Sequence, residues 1–103
     1  MDDSYVRYAR FYEAVMRQGH VDMPSGYRQN VRHVLKASGL PDRPAQIAMR
    51  RFGIVDCCEP ETVLEIAVGL NEPEQYVRDM VDIVLDECRK RLNLDVLLHG
   101  LEQ

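Results

Sequence analysis

The stretch from Val77 to Leu92 constrains this chain more than any other. Val77, Met80, Val81, Val84, Leu85, Cys88 and Leu92 fall at i, i+3, i+4, i+7, i+8, i+11 and i+15, the spacing of one apolar stripe on a helix. Such a stripe must be buried against something. The chain has 103 residues, 46% of them hydrophobic, which is enough for one core and too short for two independent domains. No segment shows the sustained alternation of a half-buried strand. The expected fold is therefore all-α, a compact bundle of about five helices containing a helix-turn-helix.

The earlier segments repeat the same period. Tyr5, Tyr8, Ala9, Tyr12, Val15 and Met16 share one face of a first helix, with Asp2, Asp3 or Ser4 as its cap and Gly19 as its stop. The three tyrosines read as an amphipathic edge, rings buried and hydroxyls wet. After the break at Pro24-Ser25-Gly26, a second helix runs to about Ser38 with Tyr27, Val31, Val34 and Leu35 inward, and Gly39 ends it. A third begins around Leu40-Pro41-Asp42, tolerates Pro44 in its first turn, buries Ile47, Ala48, Met49 and Phe52, and stops at Gly53. Glu59 or Thr62 caps a short fourth helix carrying Val63, Leu64, Ile66 and Ala67, with the turn at Gly69-Leu70-Asn71. The fifth helix starts near Glu72-Pro73. Leu94, Leu97, Leu98 and Leu101 form a C-terminal leucine-rich helical tail over 93–103 that must be covered, either by the first helix or by another chain.

Charge is divided unevenly. The 13 Lys and Arg against 17 Asp and Glu give −4 overall, which excludes a general nucleic-acid coat. Residues 1–53 hold nine bases and five acids, while residues 54–103 hold four bases and twelve acids. An anionic partner is thus expected to meet the N-terminal half, and a basic protein surface the C-terminal half. In the second helix Arg28, Arg32 and Lys36 stand at i, i+4 and i+8, one cationic stripe that reads as a solvated face or as a phosphate or acidic-protein contact.

Little in the chain suggests catalysis. His20, His33 and His99 belong to no metal-binding or nucleophile motif, the carboxylates of the fifth helix are dispersed, and there is no glycine-rich phosphate loop. No catalytic residue, metal ligand or cofactor is predicted. Three cysteines without a paired spacing (Cys57, Cys58 and Cys88) fit a reducing compartment, with Cys88 as a small core residue. No run is apolar and long enough for a membrane helix, and the N-terminus Met1-Asp2-Asp3 is acidic where a secretory signal would be basic. A cytoplasmic protein with no membrane partner is expected.

One constellation is more specific. Leu40, Pro41 and Arg43 are followed by Arg51-Phe52-Gly53-Ile54, then by Thr62, Glu65, Ile66, Ala67 and Leu70, then by Val77, Arg78 and Met80. In order and spacing this resembles region 4, the C-terminal DNA-binding domain of sigma-70-type bacterial sigma factors. The resemblance spans about Leu40–Leu92, half the chain, with a loop before Thr62 about one residue longer than usual. It implies a helix-turn-helix with the fifth helix in the reading position. In the family that helix opens with basic and polar residues that enter the major groove. Here the corresponding stretch is Pro73-Glu74-Gln75-Tyr76-Val77-Arg78-Asp79, flanked by Glu72 and Asp82.

Two expectations for function follow. The first is a small bacterial or phage transcription regulator that acts mainly through protein contacts, with RNA polymerase, a sigma factor or another regulator as partner. Glu72, Glu74, Asp79 and Asp82 would be its electrostatic handle and Leu97, Leu98 and Leu101 its apolar anchor. The second is a sequence-specific DNA-binding regulator, single or as a homodimer. In it Arg28, Arg32, Lys36, Arg43, Arg50 and Arg51 hold phosphates while Gln75, Tyr76 and Arg78 read base edges. Proline at the helix start lacks an amide for a phosphate, and each carboxylate facing the duplex cancels a cationic contact, so the first expectation is favoured.

Overall fold

The computed structural model describes residues 3–19, 21–57 and 59–102, with side chains described for 4–91 within those ranges. His20 and Cys58, and the side chains of Leu92, Leu94, Leu97, Leu98, His99 and Leu101, lie outside the described residues. Among the described residues there are five helices: α1 (Asp3–Met16), α2 (Tyr27–Ala37), α3 (Asp42–Phe52), α4 (Val63–Leu70) and α5 (Glu74–Glu102). The expected all-α bundle is the fold.

The stripe on α5 organises the core. Val77, Val81, Val84 and Cys88 are all buried, and they divide between two packed clusters. Val77 and Val81 meet Ile47 of α3 with Ile66 and Ala67 of α4. One turn further on, Val84 and Cys88 meet Tyr8, Phe11, Tyr12 and Val15 of α1, Val31 and Val34 of α2, and Ala48 and Ile54. Adjacent residues on a helix point roughly 100° apart, and this is how Ile47 and Ala48 of α3 serve different clusters. Phe52 and Leu85 touch both. Each fully buried aliphatic or aromatic side chain contributes about 1.5–3 kcal/mol relative to exposure.

Local chemistry fixes where the helices stop. Gly53 takes a left-handed conformation (φ 66°) after α3, and the Ile54 amide donates back to the Met49 carbonyl at 3.1 Å, a Schellman closure. A Cβ at Gly53 would lie 2.5 Å from the Pro60 nitrogen, so the position needs glycine for space as well as for conformation. At the start of α4 the Thr62 hydroxyl accepts from the Glu65 amide at 3.1 Å while the Glu65 carboxylate accepts from the Thr62 amide at 3.0 Å. This capping box leaves Thr62, not Glu59, as the cap. Asn71 is the left-handed residue that closes α4, and the Glu72 amide donates to the Ala67 carbonyl at 3.0 Å.

Several expectations need correction. The inward face of α1 also includes Phe11, which is fully buried and packs edge-on against Phe52 with ring centroids 5.3 Å apart. Helix α1 ends at Met16 through a left-handed Arg17 (φ 56°), with the Gln18 amide on the Glu13 carbonyl, two residues before Gly19. The tyrosine hydroxyls of the core are not left to water. Tyr8 accepts the Val55 amide at 2.9 Å, and Tyr12 accepts the Asn30 side-chain amide at 2.9 Å, because rings buried this deeply need internal partners. Gly69 and Leu70 are helical, and only Asn71 of that trio makes the turn. The backbone of the leucine-rich segment is helical and runs on from α5 without a break to Glu102. At about 1.5 Å per residue the 29-residue α5 is about 43 Å long, close to the molecule's 46 Å longest dimension.

Two outcomes follow. Gly53→Ala loses at least about 2 kcal/mol of stability in urea titration from the left-handed conformation and the clash. Gly39→Ala, which has the same conformation but nothing within 4 Å, loses only about 1 kcal/mol. Burial pushes the Cys88 thiol up to about 12, so in a Cys57→Ser, Cys58→Ser background it stays unmodified by thiol reagents at pH 8 until denaturant is added.

Candidate functional site

The start of α5 is reached through three residues, Asn71, Glu72 and Pro73. The left-handed Asn71 turns the chain, and Pro73 needs no amide partner in the first turn. Val77 points inward against Ile66 and Ala67, which turns Glu74, Gln75, Arg78, Asp79 and Asp82 outward, and all five are exposed. Glu72 is half-buried at the turn.

The polar groups on this face pair with one another. The Gln75 side-chain amide donates to Asp79 Oδ1 at 2.9 Å, and Arg78 Nη2 lies 3.7 Å from Glu74 Oε1. Further along, Arg89 bonds Asp86 and also donates through Nε to the Val15 carbonyl at 2.6 Å, while Lys90 pairs with Glu87. Residues 72–87 contain six acids and one base, Arg78. With Arg78 matched by Glu74, the face keeps a clear excess of negative charge. Exposed pairs of this kind are individually weak, about 0.3–0.5 kcal/mol at i, i+4, so the sign of the local field comes from the unbalanced carboxylates.

The cations expected to hold phosphates fall into three groups. On α2, Arg28, Arg32 and Lys36 are exposed. Arg28 lies over the Tyr27 ring at 5.8 Å, and Arg32 bonds Asp56 Oδ1 at 3.0 Å. Those at the end of α3 hold the structure together. Arg50 makes two parallel bonds to the Glu61 carboxylate at 2.8 and 2.9 Å, and the Glu61 amide returns to the Arg50 carbonyl at 2.9 Å. Arg51 donates to the Glu61 carbonyl at 3.3 Å and lies over Phe52. Arg50 and Arg51 therefore staple the 53–61 loop onto α3. Arg43 lies 5.6 Å over the half-buried Tyr76 ring, which brings the start of α3 beside the start of α5.

Three large apolar side chains on α4 and α5 are left exposed. Leu64 and Val68 of α4 are 56% and 72% exposed, and Ile83 of α5 is 43% exposed among Asp79, Asp82 and Asp86. The signal was present: seven of the eight residues in VLEIAVGL are nonpolar, and a helix that short cannot turn them all inward. Among the described residues no group of three or more His, Cys, Asp or Glu is placed to hold a metal, and no helix is long and apolar enough to cross a membrane. No family model, curated protein or solved structure matches this chain.

The Arg50–Glu61 pair has a pH signature. Hydrogen bonds from Arg50 hold the Glu61 carboxyl below the usual carboxylate range, against the opposing effect of partial burial. A depressed carboxylate stabilises the fold above its unfolded titration, and that contribution disappears as the pH falls through the folded one. Glu61→Gln should therefore lose about 1 kcal/mol at neutral pH, with the gap from wild type closing in acid, as read from urea midpoints across the pH range.

Proposed function

We propose that this chain is a small bacterial or phage transcription regulator, built on a sigma-region-4-like helix-turn-helix of α4 and α5 and acting mainly through protein contacts. RNA polymerase, a sigma factor or another regulator is the partner, and the setting is the cytoplasm. The observation that carries this reading is the start of α5. Of its three side chains suited to base edges, Gln75 and Arg78 are matched by Asp79 and Glu74 on their own face and Tyr76 is half-buried beneath Arg43, within a stretch of six acids and one base. A duplex would have to break those pairs and accept the remaining carboxylates beside its phosphates, which is unfavourable at every sequence. A basic protein surface meets the same face with complementary charge, and Ile83 with Leu64 and Val68 supplies apolar area to desolvate. Support for the fold assignment comes from the core: Phe52, Gly53 and Ile54 close α3, and Ala67, small and buried, packs with Val77 where α4 and α5 approach.

A second reading, a DNA-binding regulator, rests on the exposed cations of α2. They stand on a different element from Gln75 and Arg78, and phosphate contact there supplies affinity without sequence selection.

Two measurements separate the readings. Fluorescence anisotropy with duplex DNA at physiological salt should give only weak, unselective binding, with a Kd no tighter than about 1 µM, unchanged in Gln75→Ala and Arg78→Ala. A photo-crosslinking residue at Asp82 should join the chain to a purified polymerase subunit or sigma factor, and Glu74→Lys with Asp79→Lys should abolish the adduct. Tight, sequence-selective duplex binding lost on mutating Gln75 or Arg78 would overturn the proposal.

A further inference from the structure

On α2, Gln29, Arg32, His33 and Lys36 occupy positions i, i+3, i+4 and i+7, one ridge along the helix. They line a groove of about 520 Å3 together with Leu35, Met49 of α3 and Val55. The groove has a cationic edge and an apolar floor. Lys36 and His33 have no ion-pair partner among the described residues. The one pair at the edge, Arg32 with Asp56, is exposed on both sides, so an incoming carboxylate can replace Asp56 at little cost.

The floor is held against backbone strain. Val55 is β-branched and yet sits at φ 62°, a conformation such residues avoid, at about 1–3 kcal/mol. Its amide is held by the Tyr8 hydroxyl at 2.9 Å. The same residue, with Arg32, also lines an adjoining cleft of about 210 Å3 that includes Arg7 and Arg28. Cationic surface thus continues along α2 beyond the groove.

We infer that this groove docks an acidic amphipathic helix of a partner protein, with the helix's apolar residues on Leu35, Met49 and Val55 and its carboxylates on Arg32 and Lys36. A trough walled by an i, i+3, i+4, i+7 ridge suits a helix laid alongside α2. The half of the chain that carries it has nine bases against five acids, the complement of an acidic ligand. Nucleic acid fits less well, because phosphates would engage the edge and leave the apolar floor uncovered. The inference stands apart from the reading of α5, since it concerns another element of opposite charge and holds whatever that face binds.

The test is a titration of the full chain, followed by amide NMR, with a stapled helical peptide bearing leucines at i, i+3, i+4 and i+7 flanked by glutamates. Saturable shifts confined to residues 29–36, Met49 and Val55 are expected. Lys36→Glu, a change at an exposed position with no ion-pair partner among the described residues, should weaken binding at least about tenfold. Serines in place of the leucines should do the same, and lysines in place of the glutamates should eliminate binding. Shifts that are absent or fall on α5 would overturn the inference. So would equal shifts from the serine peptide or from a random duplex, which would make the groove a general anion surface. Shifts at these residues on concentrating the protein alone, removed by Ile83→Ser, would make a second copy of this chain the occupant and overturn it as well.

Discussion

Four buried residues of α5, Val77, Val81, Val84 and Cys88, carry both halves of the core. The first two hold α3 and α4 in place, and the second two hold α1 and α2 against α3. Because these residues lie on one rigid helix, the two clusters have a fixed relation, with Phe52 and Leu85 filling the space between them. Helices of 8 to 14 residues are marginal in isolation, so α1 to α4 depend on this shared surface for their stability.

The same arrangement decides which charges the molecule shows. Turning Val77 and Val81 inward forces Glu74, Asp79 and Asp82 outward, where Arg78 offsets only part of their charge. Turning Val31 and Val34 inward does the equivalent on α2, exposing Arg28, Arg32 and Lys36. The division of charge along the chain thereby becomes a division between elements. One presents an acidic helix with a single exposed isoleucine, the other a cationic ridge over an apolar floor.

The helices were legible because their apolar spacing and stop signals are local. Val31, Val34, Ile47, Ala48, Ile66 and Ala67, with Val77, Val81, Val84 and Cys88 of the α5 stripe, are buried as their spacing predicts. Phe11 was legible too: with Tyr8, Tyr12 and Val15 it completes the i, i+3, i+4, i+7 spacing of α1, and only its edge-on partner Phe52, forty-one positions away, needed the tertiary structure. Arg17 ends α1 in a conformation that glycine usually supplies, which is why the glycine signal at position 19 lies two residues beyond the actual stop. The candidate site was legible in its residue types. What could not be read was pairing: Arg50 resembled a phosphate contact, but a carboxylate eleven residues on, Glu61, takes both arms of its guanidinium.

By itself, then, the sequence determined the all-helical class, the approximate helix limits, the inward stripe of each helix and the opposed charge of the two halves, since all of these depend on period and composition. Only the tertiary structure decided which cations hold the fold and which face solvent, that the tyrosine hydroxyls bond to Val55 and Asn30, that Leu64, Val68 and Ile83 are left uncovered, and that Leu35, Met49 and Val55 meet beneath Arg32 and Lys36. The physical reason is reach. Periodicity acts over one or two turns of helix, whereas pairing, coverage and grooves are made by residues that the chain brings together from 11 to 74 positions apart.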